Sequence, residues 1–331
     1  MTPFHVVHYE IGPSKMNGST PNDCGTSSRA HEDVPERPLA VIIVTFNSSR
    51  VLTDLLYSLK AGLTGVTRFE VIVVDNNSSD ESVALAEAHP IRPRVIQTGR
   101  NGGYSAGINA GTATVPPDWD VLILNPDLQL APGAAALMSR RLADPKIGIV
   151  VPQIYNCDGS LSWSLRREPS VLTAWSEAFL GGRVSSRLGT GEVISDPKRY
   201  LSAGPVSWAT GAILMVSAHA RQLIGDWDER FFLYSEEVDY MRRIRIQGLA
   251  IEYEPQARAT HIGGDTKGSP FLFTVQTTSR LREFNARSGF VRRILFRVGV
   301  IAGEAIRSFR HKSHRAALKA ALGPIRPIVV D

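Results

Sequence analysis

The sequence predicts an α/β fold, a doubly wound and mostly parallel sheet flanked by helices, with a C-terminal helical extension. Short apolar runs rich in β-branched residues, such as LAVIIVTF at Leu39–Phe46, alternate with segments of helical spacing. The polar strings VVDNNSSDES and LILNPDLQL begin as two of these runs end, and doubly wound sheets bind ligands outside the carboxyl ends of their strands. With 331 residues, 43% apolar and 21% charged, the chain is long enough to bury a sizeable core.

Residues 1–37 are polar, aperiodic and broken by Pro21 and Pro35, and are expected to be a disordered extension. The run at Leu39–Phe46 suits a parallel strand covered on both faces. Val51, Leu52, Leu55, Leu56 and Leu59 then recur at helical spacing. Strands follow at Phe69–Val74, Arg94–Thr98 and Trp119–Leu124, with helices at Asp80–His89 and Ser105–Ala113 between them. A helix after Pro132 leads to a strand at Gly148–Pro152, whereas residues 156–203 read as irregular. Ser207–Ser217 is strand-like, Phe231–Gly248 a loop feeding a helix, Ile251–Glu254 a strand, and Thr277–Phe309 mainly helix.

Composition narrows the function classes. Net charge is +5 and the basic excess is concentrated in residues 280–319, which points to a local anionic partner, a membrane surface or a phosphate-bearing substrate, and away from nucleic acid. Cys24 and Cys157 are the only cysteines, so neither a disulfide framework nor a cysteine zinc site is expected, and a reducing cytoplasm fits. The N-terminus lacks an apolar leader and the chain lacks an 18-residue apolar stretch, so neither secretion nor membrane spanning is expected.

Five strings and one histidine carry candidate chemistry. Asp75, at a strand tip, is a candidate hydrogen-bond partner for a base or ribose, and Thr45 and Asn47 leave the first strand towards the same crevice. Turn and cap chemistry alone also accounts for both strings, including Asn77. In GRNGGYSAGINAG, Asn101, Gly102 and Gly103 precede a helix that carries Asn109. The glycines permit close backbone approach, and the helix start offers N–H groups to phosphate, although such segments also arise from packing alone. Asn125 and Asp127 offer oxygen ligands suited to Mg²⁺ or Mn²⁺ beside a diphosphate; an Asn-Pro-Asp turn is the plain alternative. Glu236, Glu237 and Asp239 precede a basic helix, where acids complement the dipole, and one carboxylate there can also serve as a general base. His261 can complete a metal sphere begun by Asp127, with Lys267 or Arg258 on phosphate oxygens; a structural histidine is the alternative.

The ordered set VIIVTFN, VVDNNSSD, GRNGGYSAGINAG, LNPD, WATGAILMV and FFLYSEEVDYMRR, over about residues 39–290, resembles family 2 glycosyltransferases of the GT-A fold. More narrowly, it is similar to the bacterial rhamnosyltransferase-like group. The resemblance implies that Thr45 and Asp75 hold the nucleobase and ribose, and that Asp127 is the surviving acid of the DXD motif, whose first position is Asn125 here. It implies Glu237 as general base flanked by Glu236 and Asp239, His261 as a metal ligand, and Trp208, Thr210 and Gly211 as part of an acceptor wall. The organisation expected is a nucleotide-binding half over about 38–150, an acceptor-facing half over about 151–275, and a basic amphipathic helical region over 276–331.

The implied function is inverting, metal-dependent transfer of a sugar, rhamnose from dTDP-rhamnose first, galactofuranose or a UDP-hexose next. The acceptor implied is a hydroxyl of a cell-wall or polysaccharide saccharide, free or lipid-linked. In the C-terminal region Arg292, Arg293, Arg297, Arg307 and Arg310 mix with Phe290, Ile294 and Val298. Such a segment either lies on an anionic membrane, at the inner face of the cell membrane, or packs on the domain with a solvated basic face. Two rivals of other classes are a nucleotidyltransferase, which would carry a basic Gly-rich loop where TFNSSRVL stands, and a non-catalytic sugar-nucleotide-binding module.

Overall fold

The computed structural model describes residues 37–263, 268–309 and 311–328. Residues 1–36, with Cys24, lie outside the described residues, as do Lys267 and Arg310. In chain order the first elements are β1 (Leu39–Thr45), α1 (Ser49–Gly62), β2 (Phe69–Asp75), α2 (Ser82–Ala88), β3 (Arg94–Gln97), α3 (Tyr104–Thr112), β4 (Asp120–Leu124), β5 (Leu128–Leu130), α4 (Ala134–Arg141) and β6 (Ile147–Asn156). There follow β7 (Leu165–Arg166), α5 (Val171–Arg187), β8 (Gly204–Pro205), β9 (Trp208–Ala209), β10 (Ile213–Val216), α6 (Ala218–Ile224), α7 (Glu236–Ile246), β11 (Ala250–His261), α8 (Pro270–Arg287), α9 (Phe290–Ser308) and α10 (Lys312–Leu322).

The main sheet runs β3-β2-β1-β4-β10-β6-β11-β5, with β8 on β11. β1, β2, β3, β4, β6 and β11 point one way, and β10, β5 and β8 the other, so the sheet is mostly parallel. All seven residues of β1 are buried, as its apolar run requires of a strand covered on both faces. Each large aliphatic side chain so placed contributes about 1.5–3 kcal/mol. The chain winds from β1 outward to β3, then returns to place β4 on the other side of β1, which opens the crevice at the β1/β4 switch point. Helix α3 closes tightly over this sheet because Gly107 and Gly111 face β1. A Cβ on Gly107 would lie 2.5 Å from Val44 Cγ1, and one on Gly111 2.9 Å from Ile42 Cγ2.

Two pairings position the site. β10 enters antiparallel between β4 and β6, and the Asn125 N–H donates to the Ala212 carbonyl at 2.8 Å, which brings the segment after β9 against the end of β4. β5 pairs antiparallel with β11 so that His261 faces Leu128, beside Asp127.

Several elements differ from expectation. Residues 156–203 contain helical structure, α5, opened by a Ser170–Thr173 capping box; Gly181, at φ 74° and ψ 159°, breaks it into two helical segments. Thr277–Phe309 is mainly helix, as expected, but in two helices: Ser288 turns extended (φ −116°, ψ 148°), and α9 starts afresh after Gly289. The break lets α9 fold back, stacking Phe296 on Phe284 at 3.8 Å in a core completed by Ala174, Leu281, Val300 and Ala321. Helix α8 runs through the position where a boundary at 275/276 was expected. No described helix is long and apolar enough to cross a membrane.

Candidate active site

The loop leaving β4 presents Asn125, Pro126 and Asp127. The β5–β11 pairing carries His261 alongside, and the Ile262 N–H donates to the Asp127 carbonyl at 2.9 Å. As a result His261 Nε2 lies 3.0 Å from Asp127 Oδ2, while Asp127 Oδ1 is buried with no hydrogen-bond partner. Among the described residues no group of three or more His, Cys, Asp or Glu side chains forms a cage. An open pair with an orphaned carboxylate oxygen fits Mg²⁺ or Mn²⁺, which take one or two protein ligands and complete their octahedra with water and substrate phosphate.

Opposite this pair stands the start of α7. Tyr234 (φ 66°) and Ser235 (φ 67°) are successive left-handed residues, and this turn delivers Glu236, buried, and Glu237, half-buried, to the helix N-terminus. One oxygen of each, Oε2, is buried without a partner. Burial pushes the Glu237 carboxyl above its usual range; its own N–H, the Arg166 guanidinium and the N–H groups of Gly211 and Ser235 pull it back. Glu236 is pushed well above, by burial first and then by the charge of Glu237. Gly211 must be small here, since a Cβ would stand 3.3 Å from that of Glu237.

A cavity of about 520 Å³ is lined by Asn125, His261, Glu236, Glu237, Thr210 and Gly211, and Asp127 is joined to it through His261. Trp208 forms another wall and donates from Nε1 to the Arg167 carbonyl at 2.8 Å. The Tyr104 hydroxyl, 3.4 Å from the Gly211 carbonyl, sits in the field of Glu236, Asp127 and Glu237, and its pKa is raised well above normal by burial and then by these charges. The far end of the cavity holds Glu177, Glu192 and Arg280, whose Nη2 is 3.0 Å from Glu177 Oε2 and also bonds Glu192.

At the tips of β1 and β2, in-register pairing sets Thr45 beside Asp75. Thr45 Oγ1 donates to Asp75 Oδ1 at 3.0 Å, and Ser78 holds the same carboxylate through its N–H (2.8 Å) and hydroxyl (2.5 Å). Thr45 is fully buried. In this arrangement its hydroxyl orients Asp75. Asn47 Oδ1 accepts from the Ser79 N–H at 2.9 Å, and Asn47 and Asn77 are exposed residues with positive φ. Asn101 Oδ1 accepts from the Gly103 N–H at 3.1 Å. Gly103 (φ 89°) lets the chain pass Phe232, whose carbonyl would stand 2.2 Å from a Cβ there.

Two further candidates stand elsewhere. The Asp239 carboxylate is taken by Arg242 (2.9 Å) and Arg243 (2.8 Å), since i+3 and i+4 spacing on α7 brings these cations to it, and Asp239 does not line the cavity. The Asn109 amide is spent on the Trp227 carbonyl (2.9 Å) and Glu229 (3.0 Å). With Gly102 and Asn76 it lines a separate cavity of about 440 Å³. Arg258 is exposed on β11 and does not line the cavity that holds Glu237.

Tyr104 and Arg166 were not singled out as site residues by the sequence reading. The available signals were an aromatic directly after the Gly102–Gly103 pair, and the paired arginines after Trp163.

The model of glycosyl transferase family 2 matches residues 40–194. The N-acetylglucosaminyl-diphospho-decaprenol L-rhamnosyltransferase of Mycobacterium tuberculosis is 32% identical over 235 residues, 67% of this chain and 75% of that protein. The chain is a family 2 glycosyltransferase. The low-salt glycan biosynthesis hexosyltransferase Agl10 of Haloferax volcanii is 29% identical over 216 residues, 64% of this chain and 63% of that one. Among solved structures, GalNAc-T7 with UDP, GalNAc and Mn²⁺ superposes with a TM-score of 0.59 at 15% identity, over 87% of this chain and 56% of that one. The mannosyltransferase PcManGT from Pyrobaculum calidifontis, in complex with GDP-Man and Mn²⁺, gives 0.52 at 17% identity, over 88% and 78%. The glycosyltransferase thus has the GT-A fold and belongs with the rhamnosyltransferase-like members of its family. The nucleotidyltransferase and binding-module alternatives are not favoured.

Proposed function

We propose that this glycosyltransferase moves a sugar, rhamnose from dTDP-rhamnose in the first instance, to a hydroxyl of a saccharide carried on a lipid diphosphate, with inversion at the anomeric carbon. The observation that carries the reading is that His261, which is paired with Asp127, lines the same cavity as Glu237. The choice of donor and acceptor is supported by the mycobacterial relative, and galactofuranose or a UDP-hexose is the next donor to try.

Asp127 and His261 would hold a divalent cation, whose chemistry when bound is to neutralise charge on the departing diphosphate. Asp75, held by Thr45 and Ser78, would bind the base or ribose at the β1/β4 crevice. Glu237 accepts the acceptor hydroxyl proton as that oxygen bonds to the anomeric carbon, and the bond from this carbon to the diphosphate breaks on the opposite side. Its raised pKa makes Glu237 a stronger base than a free carboxylate. Glu236 and Tyr104 flank it, and Trp208, Thr210 and Gly211 form the acceptor wall. Residues of about 38–150 bind the donor and about 151–275 face the acceptor. The enzyme works in the cytoplasm at the inner membrane face, with its C-terminal basic helices towards anionic lipid.

Replacing Glu237 by Gln tests the reading in purified protein given nucleotide sugars and a soluble acceptor analogue. The expected loss of turnover is about 10²–10⁴-fold with donor affinity retained. Undiminished turnover removes Glu237 from this role.

A further inference from the structure

The outer faces of α5 and α9 are apolar where a packed helix would be polar. On α9, Phe290 is 75% exposed, and Val291, Ile294, Leu295 and Val298 are exposed at successive helical turns. The opposite side of the same helix buries Phe296 and Val300, so α9 is apolar on two sides. On α5, Leu172, Phe179, Leu180 and Val184 are likewise exposed. The two faces join through Trp175, which donates from Nε1 to the Leu295 carbonyl at 3.0 Å and stacks on Phe179 at 5.6 Å.

The charge on this face has one sign. Each helix carries a single acid, and both acids are committed inward: Glu177 to Arg280, Glu304 to Arg307 (2.8 Å) and His314 (2.7 Å). Arg183, Arg187 and Arg292 are exposed alongside the apolar residues. An apolar face bordered only by cations suits the surface of an anionic bilayer, where side chains enter the headgroup boundary while arginines meet lipid phosphate. A partner copy of the chain would present the same cations and repel.

We infer that α5 and α9 together form a docking surface for an anionic lipid bilayer, and that the same helix pair lies between the bilayer and the cavity, whose wall its inner side forms. The second half follows from the walls: Glu177 of α5 and Val300 and Glu304 of α9 line the cavity that holds Glu237. This rests on the reading that the acceptor is lipid-linked. It adds that α5, from the segment expected to be irregular, is half of the surface.

The test is co-sedimentation of the full chain with phosphatidylglycerol–phosphatidylcholine vesicles and with phosphatidylcholine vesicles alone. Leu172→Glu with Leu180→Glu alters α5, and Phe290→Glu with Val291→Glu alters α9. The expected result is preference for the anionic vesicles, weakened at least about tenfold by either pair, with thermal stabilisation by nucleotide sugar and transfer to a soluble acceptor unchanged. Wild-type protein that stays in the supernatant overturns the proposal. So does an α5 pair without effect, or a dimer that the same substitutions disperse in protein that ignores vesicles. Nucleotide-sugar binding is read without vesicles, so loss of the sugar-transfer reading is seen separately from loss of the docking surface.

Discussion

His261 Nε2 stands 3.0 Å from Asp127 Oδ2, which joins the end of β11 to the loop leaving β4. Two segments more than a hundred residues apart thereby make one side-chain pair, and the other oxygen of Asp127 stays buried and unbonded. His261→Ala is expected to raise the Mg²⁺ or Mn²⁺ concentration needed for half-maximal donor binding by at least about tenfold. Asp127→Ala is expected to abolish the metal dependence of donor binding. Metal titrations followed by nucleotide-sugar calorimetry check both, and chelation of wild type is expected to stop turnover.

Arg166 acts on Glu237 through its charge. As the proposed base, Glu237 works ionised, so activity is expected to fall as pH drops through its pKa. Because burial raises that pKa, the acid limb of kcat/KM is expected above the ordinary glutamate value of about 4.3. Arg166→Gln removes a favourable cation and is expected to move the limb to higher pH, with Arg166→Lys restoring part of the shift. A limb that stays in place in Arg166→Gln counts against the coupling.

Asp75 is oriented by Thr45 and Ser78. Asp75→Ala is expected to weaken donor binding about 10–100-fold, the worth of one charged hydrogen bond of about 1.5–3 kcal/mol. Thr45→Val is expected to cost less, because Thr45 only aims the carboxylate. Equal losses in the two variants would indicate that Thr45 itself contacts the donor.

Gly103→Ala places a Cβ against the Phe232 carbonyl in a left-handed backbone. The expected destabilisation is about 1–3 kcal/mol, read as a fall in melting temperature. Since the Tyr104 N–H bonds the same carbonyl at 2.7 Å, turnover is expected to fall as well.

Much of the fold is legible in the sequence where one element is decided by its own residues. β1 reads as a buried parallel strand because nothing but apolar side chains fills it, and the small residues of α3 announce a helix lying close on the sheet. The misread elements are those decided elsewhere. α5 is written in a polar, glycine-broken segment and is held by contact with α9, and the break at Ser288 shows only once Phe284 and Phe296 are seen to stack. At the site, Asp127, Glu237 and His261 stand out because carboxylates and imidazole are uncommon at buried strand and helix ends. Asp239 stood out for the same reason, although Arg242 and Arg243, at i+3 and i+4 on one helix, are the local signal that its carboxylate is already held. Tyr104 became visible only through the field of three acids brought from other parts of the chain.

The paired left-handed residues Tyr234 and Ser235 set the protein's endurance against its chemistry. A glycine at 235 would adopt the same dihedral angles without Cβ crowding and make the folded chain hardier. It would also give the hinge beneath Glu236 and Glu237 room to wander, and a base that wanders by an ångström reaches its proton less often. Selection for heat resistance alone would therefore favour a sturdier and slower enzyme.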